Sequence, residues 1–251
     1  MGAPRRAEPS SNRSTTIVVL VLIGIVVLAA RSGTISLGRF DLIFFAVLIP
    51  SVVLHEVSHG AVALLFGDDT AKRAGRLTLN PVAHVDVFGT IILPAILILT
   101  AGSAFGYAKP VPVSPRRMRS PRNHALLTSL AGPGTNIVLA LVMVALLRTV
   151  LSDDYGIVGD RFFVREGALA VELAIAAGLA NVILAAFNLI PIPPLDGSAL
   201  VERVLPARLW PGYLKLRQYS MLLLFVLVFW SGGVLSRIFD PAIELWVGLL
   251  A

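Results

Sequence analysis

The stretch SVVLHEVSHGAVALLFG, Ser51 to Gly67, sets two histidines and a glutamate in the middle of a run otherwise apolar enough to lie in a membrane. His55, Glu56 and His59 form the pattern HExxH. On a helix, positions i and i+4 share a face, so both imidazoles can grip one metal ion while Glu56 leans beside it. An ionisable group at a bilayer centre costs roughly 2.5–3.5 kcal/mol on insertion scales, so three clustered polar groups call for a compensating partner. A dication is such a partner. The alternative is a histidine pair satisfied inside a helix bundle, with Glu56 hydrogen-bonded to a neighbour.

The rest of the chain suits that setting. Of its 251 residues, 56% are hydrophobic and 14% charged, with a mean hydropathy of +0.84; soluble domains carry about 25% charged residues. The expected class is an all-α polytopic membrane protein. The absence of cysteine excludes disulfides and thiolate sites, so any metal must take nitrogen and oxygen ligands. The net charge of +6 is scattered between apolar segments without interleaved aromatics, which reads as a topology signal rather than nucleic-acid binding. Arginine outnumbers lysine, as in GC-rich bacterial genomes, and a bacterial plasma membrane is the expected location.

Six stretches approach the roughly 20 residues a bilayer core requires: Ser14 to Ala30, Leu42 to Gly67, Val87 to Ala108, Ala125 to Leu147, Leu173 to Leu195 and Tyr219 to Ser236. The first follows Arg5, Arg6 and Arg13. Val27 or Leu28 stands where a signal-peptide cut wants a small residue, so an uncleaved span is expected after a cytoplasmic tail of residues 1–13, with one membrane-embedded domain over 14–251. Two basic loops, one with Lys72, Arg73 and Arg76, the other with Lys109, Arg116, Arg117, Arg119 and Arg122, both read as cytoplasmic. They share a side only if Val87 to Ala108 enters and returns as a re-entrant hairpin, for which Gly89, Pro94, Gly102 and Gly106 supply weak points. Five crossings plus the hairpin are expected, with six crossings as the alternative. The closing PAIELWVGLLA is too short to span and is expected at the outer interface as an amphipathic tail.

Catalytic zinc takes three protein ligands, and neutral imidazole with carboxylate suits that ion. The third candidate is Asp196, standing where Pro191, Pro193 and Pro194 must break the fifth span; a helix cap or turn aspartate is the alternative. With both motifs in hand the chain resembles the site-2 protease family, the intramembrane zinc metalloproteases. The likeness is carried by HEVSH (His55 to His59), NPVAHVDVFGT (Asn80 to Thr90), YAKPVPV (Tyr107 to Val113), AGPGTN (Ala131 to Asn136) and NLIPIPPLDG (Asn188 to Gly197), and covers a catalytic core of about residues 42–200. It implies one zinc ion per chain on His55, His59 and Asp196, with Glu56 as general base, and suggests that Asn188 and Asn136 line the active site. No PDZ domain or CBS pair is expected.

Such an enzyme cleaves a transmembrane segment of a membrane-tethered protein. The substrate helix must be unwound locally, and a short strand-like segment near Leu77 to Asn80 or Val87 to Ala108 is expected to hold it by edge pairing. His84 and Asp86 read as hairpin anchors or contacts behind the ligands, His124 as a solvated interface residue, and the Arg116 to Arg122 loop as a contact for anionic lipid. The rival from another class is a transporter using the same His/Glu/Asp cluster for metal or protons. It predicts a polar path to both faces, whereas the motif residues here sit toward one. A family member that binds zinc without cleaving is the third reading, and the intact Glu56 argues against it.

Overall fold

The computed structural model describes residues 38–86, 89–90, 107–158, 161–230 and 233–250, together with Gly24. Apart from Gly24, the expected first span, Ser14 to Ala30, lies outside the described residues, as does most of Val87 to Ala108. The chain divides into two units, residues 1–38 with 82–110, and residues 39–81 with 111–251.

The larger unit is built on three long apolar helices. The first, α1 (Arg39–Leu65), has 27 residues, about 40 Å at 1.5 Å per residue. It stops where Gly67 turns left-handed at φ 102°, letting the Asp68 N–H donate to the Ala63 carbonyl at 2.9 Å and the Gly67 N–H to that of Leu64 at 3.0 Å. This is the Schellman closure that glycine favours. A single turn, α2 (Thr70–Arg73), follows. Next come α3 (Pro121–Thr149), with proline in its first turn, and α4 (Leu169–Asn188). Between α3 and α4, β1 (Tyr155–Val158) and β2 (Arg161–Val164) pair antiparallel with Tyr155 opposite Val164. Four shorter helices close the unit: α5 (Ser198–Val204), α6 (Trp210–Gln218), α7 (Ser220–Trp230) and α8 (Val234–Gly248).

Helices α1, α3 and α4 pack on one another in all three pairs. The packed face of α4 is rich in small residues, among them Ala174, Ala176, Gly178, Ala180 and Ala185, all buried. Small side chains let helix backbones approach where lipid supplies no hydrophobic drive between helices. Outward faces are the reverse of a soluble protein's: Leu42, Ile49, Val138 and Leu141 are exposed. A shell of this kind is at home in hydrocarbon.

These three helices are each long and apolar enough to cross a membrane, and they overlie the spans expected at 42–67, 125–147 and 173–195. The last expected span, Tyr219 to Ser236, is not one helix. α7 has 11 residues and bends by 63° from the helical run Ala207–Gln218, so the pair makes at most one broken span; Gly233, left-handed at φ 92°, then separates α7 from α8. The described residues thus hold three to four candidate spans. Of the two places expected for a strand-like segment, most of Val87 to Ala108 lies outside the described residues, and the described strands lie elsewhere. They form the α3–α4 connection, while 77–80 has no assigned strand.

The expected interfacial tail is part of α8. Its Trp246 is buried, and a methyl group added at Gly178 would lie 2.0 Å from the indole. The indole N–H donates to the Ala140 carbonyl of α3 at 3.0 Å. Trp246 thereby joins Val144, Leu147, Val171, Ile175 and Leu250 in the unit's main apolar core.

In the smaller unit, the Lys109 N–H donates to the His84 carbonyl at 2.9 Å and the Tyr107 N–H to that of Gly89 at 3.0 Å. The Thr90 hydroxyl donates to the Tyr107 carbonyl at 2.8 Å. Asp86 accepts the Gly89 N–H at 2.7 Å, and a Cβ at Gly89 would fall 2.3 Å from the Tyr107 ring. Residues 84–90 and 107–109 therefore lie against each other.

Candidate metal centre

His55 and His59 stand one turn apart on the buried face of α1, and Asp196 meets them from the loop between α4 and α5. The His55 Nε2 lies 3.1 Å from the His59 Nε2 and 3.1 Å from Asp196 Oδ2; His59 Nε2 to Asp196 Oδ2 is 3.3 Å. These are the one group of three or more His, Asp or Glu side chains with converging ligand atoms among the described residues. Zinc bonds of about 2.0–2.2 Å in tetrahedral geometry separate neighbouring ligand atoms by about 3.3 Å, close to the observed triangle.

The backs of both rings are occupied. His55 Nδ1 lies 2.6 Å from Asn136 Oδ1, and His59 Nδ1 lies 2.7 Å from the Thr128 carbonyl. A carbonyl only accepts, so His59 carries a proton on Nδ1, and in the neutral ring this leaves a lone pair at Nε2 beside Asp196. Two imidazolium ions 3.1 Å apart would repel, and two neutral rings would turn lone pairs toward a carboxylate. Asp196 Oδ2 is buried without a hydrogen-bond partner. A cation shared by the three atoms removes these conflicts, and two neutral imidazoles with one carboxylate are a donor set that fits zinc.

Backbone geometry keeps the space open. A Cβ added at Gly132 of α3 would fall 2.4 Å from His59 Nε2 and 2.5 Å from His55 Nε2, so only glycine fits there. Pro133 follows and supplies no N–H to the preceding turn, one cause of opened helical carbonyls. On the other wall, a Cβ at Gly197 would meet the Leu189 carbonyl at 2.3 Å, and the Gly197 N–H donates to the Asn188 carbonyl at 2.6 Å. That close turn brings Asp196 back beneath the end of α4. Beyond it α5 is anchored, since Arg203 donates to Asn123 of α3 at 2.9 Å while Tyr213 and Arg217 both donate to Glu202.

Glu56 follows His55 and is half-buried; its Oε2 accepts the Val111 N–H at 2.9 Å. The chain around Val111 is held by Asp68, which is fully buried and accepts the Thr70 hydroxyl and N–H and the Ser114 N–H. Burial pushes the Asp68 carboxyl up, but those hydrogen bonds and the nearby Arg117 charge outweigh it and hold it below the usual carboxylate range. Gly60 lets the same segment approach: a Cβ there would sit 2.6 Å from Leu77 and 3.1 Å from Val111.

Of the residues singled out in the sequence, His55, His59 and Asp196 are thus brought together. Asn136 is fully buried behind His55, and Asn188 donates to the Leu184 carbonyl of its own helix at 2.9 Å. His124 is half-buried rather than solvated. It accepts the Ser120 N–H at 3.1 Å and stacks on Phe66 at 3.9 Å, tying the start of α3 to the end of α1. Asp86 caps the turn that leads to Gly89. The sequence reading passed over Asn181 and Thr128, and took Gly132 and Val111 only as parts of AGPGTN and YAKPVPV, without a role of their own. Asn181 had a signal, an amide inside an apolar 20-residue helix; Thr128 and Val111 act through backbone atoms, which carry no side-chain signature.

A helical membrane protein with a His/His/Asp group whose ligand atoms converge as a metal site requires is the class that fold and site define. The profile of peptidase family M50 matches residues 43–163 and 157–231. YwhC of Bacillus subtilis is 41% identical over 188 residues, 72% of this chain and 77% of that protein. Rip2 of Mycobacterium tuberculosis is 31% identical over 211 residues, 81% and 74% of the two chains. MJ0611 of Methanocaldococcus jannaschii is 26% identical over 171 residues, 66% and 75%. All three are named as candidate zinc metalloproteases. No solved structure matches. The chain belongs to peptidase family M50, the site-2 protease family, and is a metalloprotease.

Proposed function

We propose that this protein is an intramembrane zinc endopeptidase that cuts the transmembrane segment of a membrane-tethered protein. The observation carrying this reading is the convergence of His55 Nε2, His59 Nε2 and Asp196 Oδ2 between apolar helices of spanning length, with Glu56 next in chain to the first ligand. His55, His59 and Asp196 hold one zinc ion. The bound ion supplies Lewis acidity toward the scissile carbonyl and brings the pKa of a water molecule near 7. Glu56, oriented by the Val111 amide, takes a proton from the attacking water and delivers it to the leaving amine. Asn188 offers its amide to the developing oxyanion or the substrate backbone.

The protein is read as lying in a bacterial plasma membrane with its amino terminus cytoplasmic and the site toward that side. The backbone bonds joining 84–90 to 107–109 favour a segment that returns to the face it left, since a crossing would part its ends by the hydrocarbon thickness of about 30 Å. The test uses reconstituted protein with tagged single-span substrates, zinc content being measured on every variant. Glu56→Gln is expected to abolish cleavage with zinc retained, and Asp196→Ala to lower zinc. Cleavage surviving in Glu56→Gln would remove the mechanism; full zinc in Asp196→Ala would remove the third ligand.

A further inference from the structure

Behind His55 runs a buried polar chain through three helices. His55 Nδ1 meets Asn136 Oδ1 at 2.6 Å, and Asn136 Nδ2 donates to Asn181 Oδ1 at 2.7 Å. Asn181 Nδ2 donates to the Ala177 carbonyl at 2.8 Å and to the Ser51 hydroxyl at 2.9 Å, while Ser51 donates to the Val47 carbonyl at 2.8 Å. Asn136 and Asn181 are 0% and 2% exposed, so no bulk water competes for these bonds.

The direction of the chain is set at its far end. The Ala177 carbonyl only accepts, so the group facing it is the Asn181 NH2, and Oδ1 must face Asn136. Asn136 then presents NH2 to Asn181 and Oδ1 to His55. An Asn136 oxygen obliges His55 to hold its proton on Nδ1, which leaves the Nε2 lone pair for a metal. We infer that Asn181 is a positioning residue: from α4, without touching the metal-binding group, it fixes the tautomer and ring plane of His55 through Asn136. The inference rests on the zinc reading of the site. Remove the Asn181 acceptor and the Asn136 amide is free to turn over, offering N–H to His55 Nδ1 and driving the proton onto Nε2. Partners of this kind hold ligating imidazoles in the metal-competent state, and losing one weakens affinity about 10- to 100-fold.

The experiment is a chelator competition on the full chain in detergent, loaded with zinc, with the dissociation constant obtained from retained metal and the visible spectrum of the cobalt-substituted protein recorded alongside. Asn181→Leu is expected to bind zinc about 10- to 100-fold more weakly and to change the cobalt spectrum; Asn181→Ala serves if leucine prevents folding. Asn181→Asp is isosteric and, protonated at this buried place, still accepts from Asn136 and donates to Ala177, so it is expected to restore affinity to near wild type. Ser51→Ala deletes two hydrogen bonds, the one from Asn181 and the one to Val47, but leaves the Ala177 anchor, and is expected to keep affinity. Wild-type affinity in Asn181→Leu overturns the inference, as does an equal loss in Ser51→Ala or Asn181→Asp, which would mean simple loss of packing. If His55→Ala retains zinc as wild type does, the metal reading itself fails, and the relay with it.

Discussion

Gly132 and Asp68 are two single residues on which the site depends for different reasons. At Gly132 the argument is steric, because a methyl group would stand 2.4 Å from His59 Nε2 and 2.5 Å from His55 Nε2. Gly132→Ala is expected to lower zinc content by about tenfold or more while α3 stays helical, checked by metal analysis beside circular dichroism. At Asp68 the argument is electrostatic. Its folded pKa lies below the unfolded value of about 3.9, so its stabilisation is complete above that value and is lost as the pH falls through the folded pKa. Asp68→Asn is expected to destabilise by about 1–3 kcal/mol at pH 7. That difference should shrink below about pH 4, as seen by unfolding wild type and variant across a pH series.

The docking of α8 against α3 and α4 is decided by one tryptophan and one glycine. Trp246 fills the notch at Gly178 and satisfies its indole N–H on Ala140. Trp246→Ala is expected to cost about 3–5 kcal/mol, measured as loss of thermal stability in detergent, and to leave His55, His59 and Asp196 able to hold zinc. Zinc loss at equal stability would mean that α8 reaches the site by a route these contacts do not reveal. The periodicity of α8 was legible, but not its destination: an amphipathic stripe fits a membrane surface and a helix bundle equally well, and only the glycine notch distinguishes them. α7 carries the same lesson. Its apolar run read as one long span, yet Gly233 at φ 92° ends any helix through it.

At the scale of the whole molecule, the side of the membrane on which each loop lies is open to direct test, because a chain without cysteine accepts single reporters. Lys72→Cys and Arg116→Cys, placed one in each basic loop, are expected to react with an impermeant maleimide from the same, cytoplasmic face. Labelling from opposite faces would replace the re-entrant segment with a sixth crossing.

The candidate ligands, their order along the chain, the three long apolar helices and the lack of any thiolate donor could all be read from the sequence alone. Hydropathy and the i, i+4 spacing are local properties, and HExxH on an apolar helix already points to a cation as the compensating partner. Tertiary structure alone decided what stands behind and beside the ligands. Asn181 reaches His55 from another helix, Thr128 and Val111 act through backbone atoms that carry no side-chain signature, and Gly132 and Gly197 matter for the atoms they leave out. Such contacts join residues 45 to 130 positions apart, and a distance of that kind is set by how helices pack.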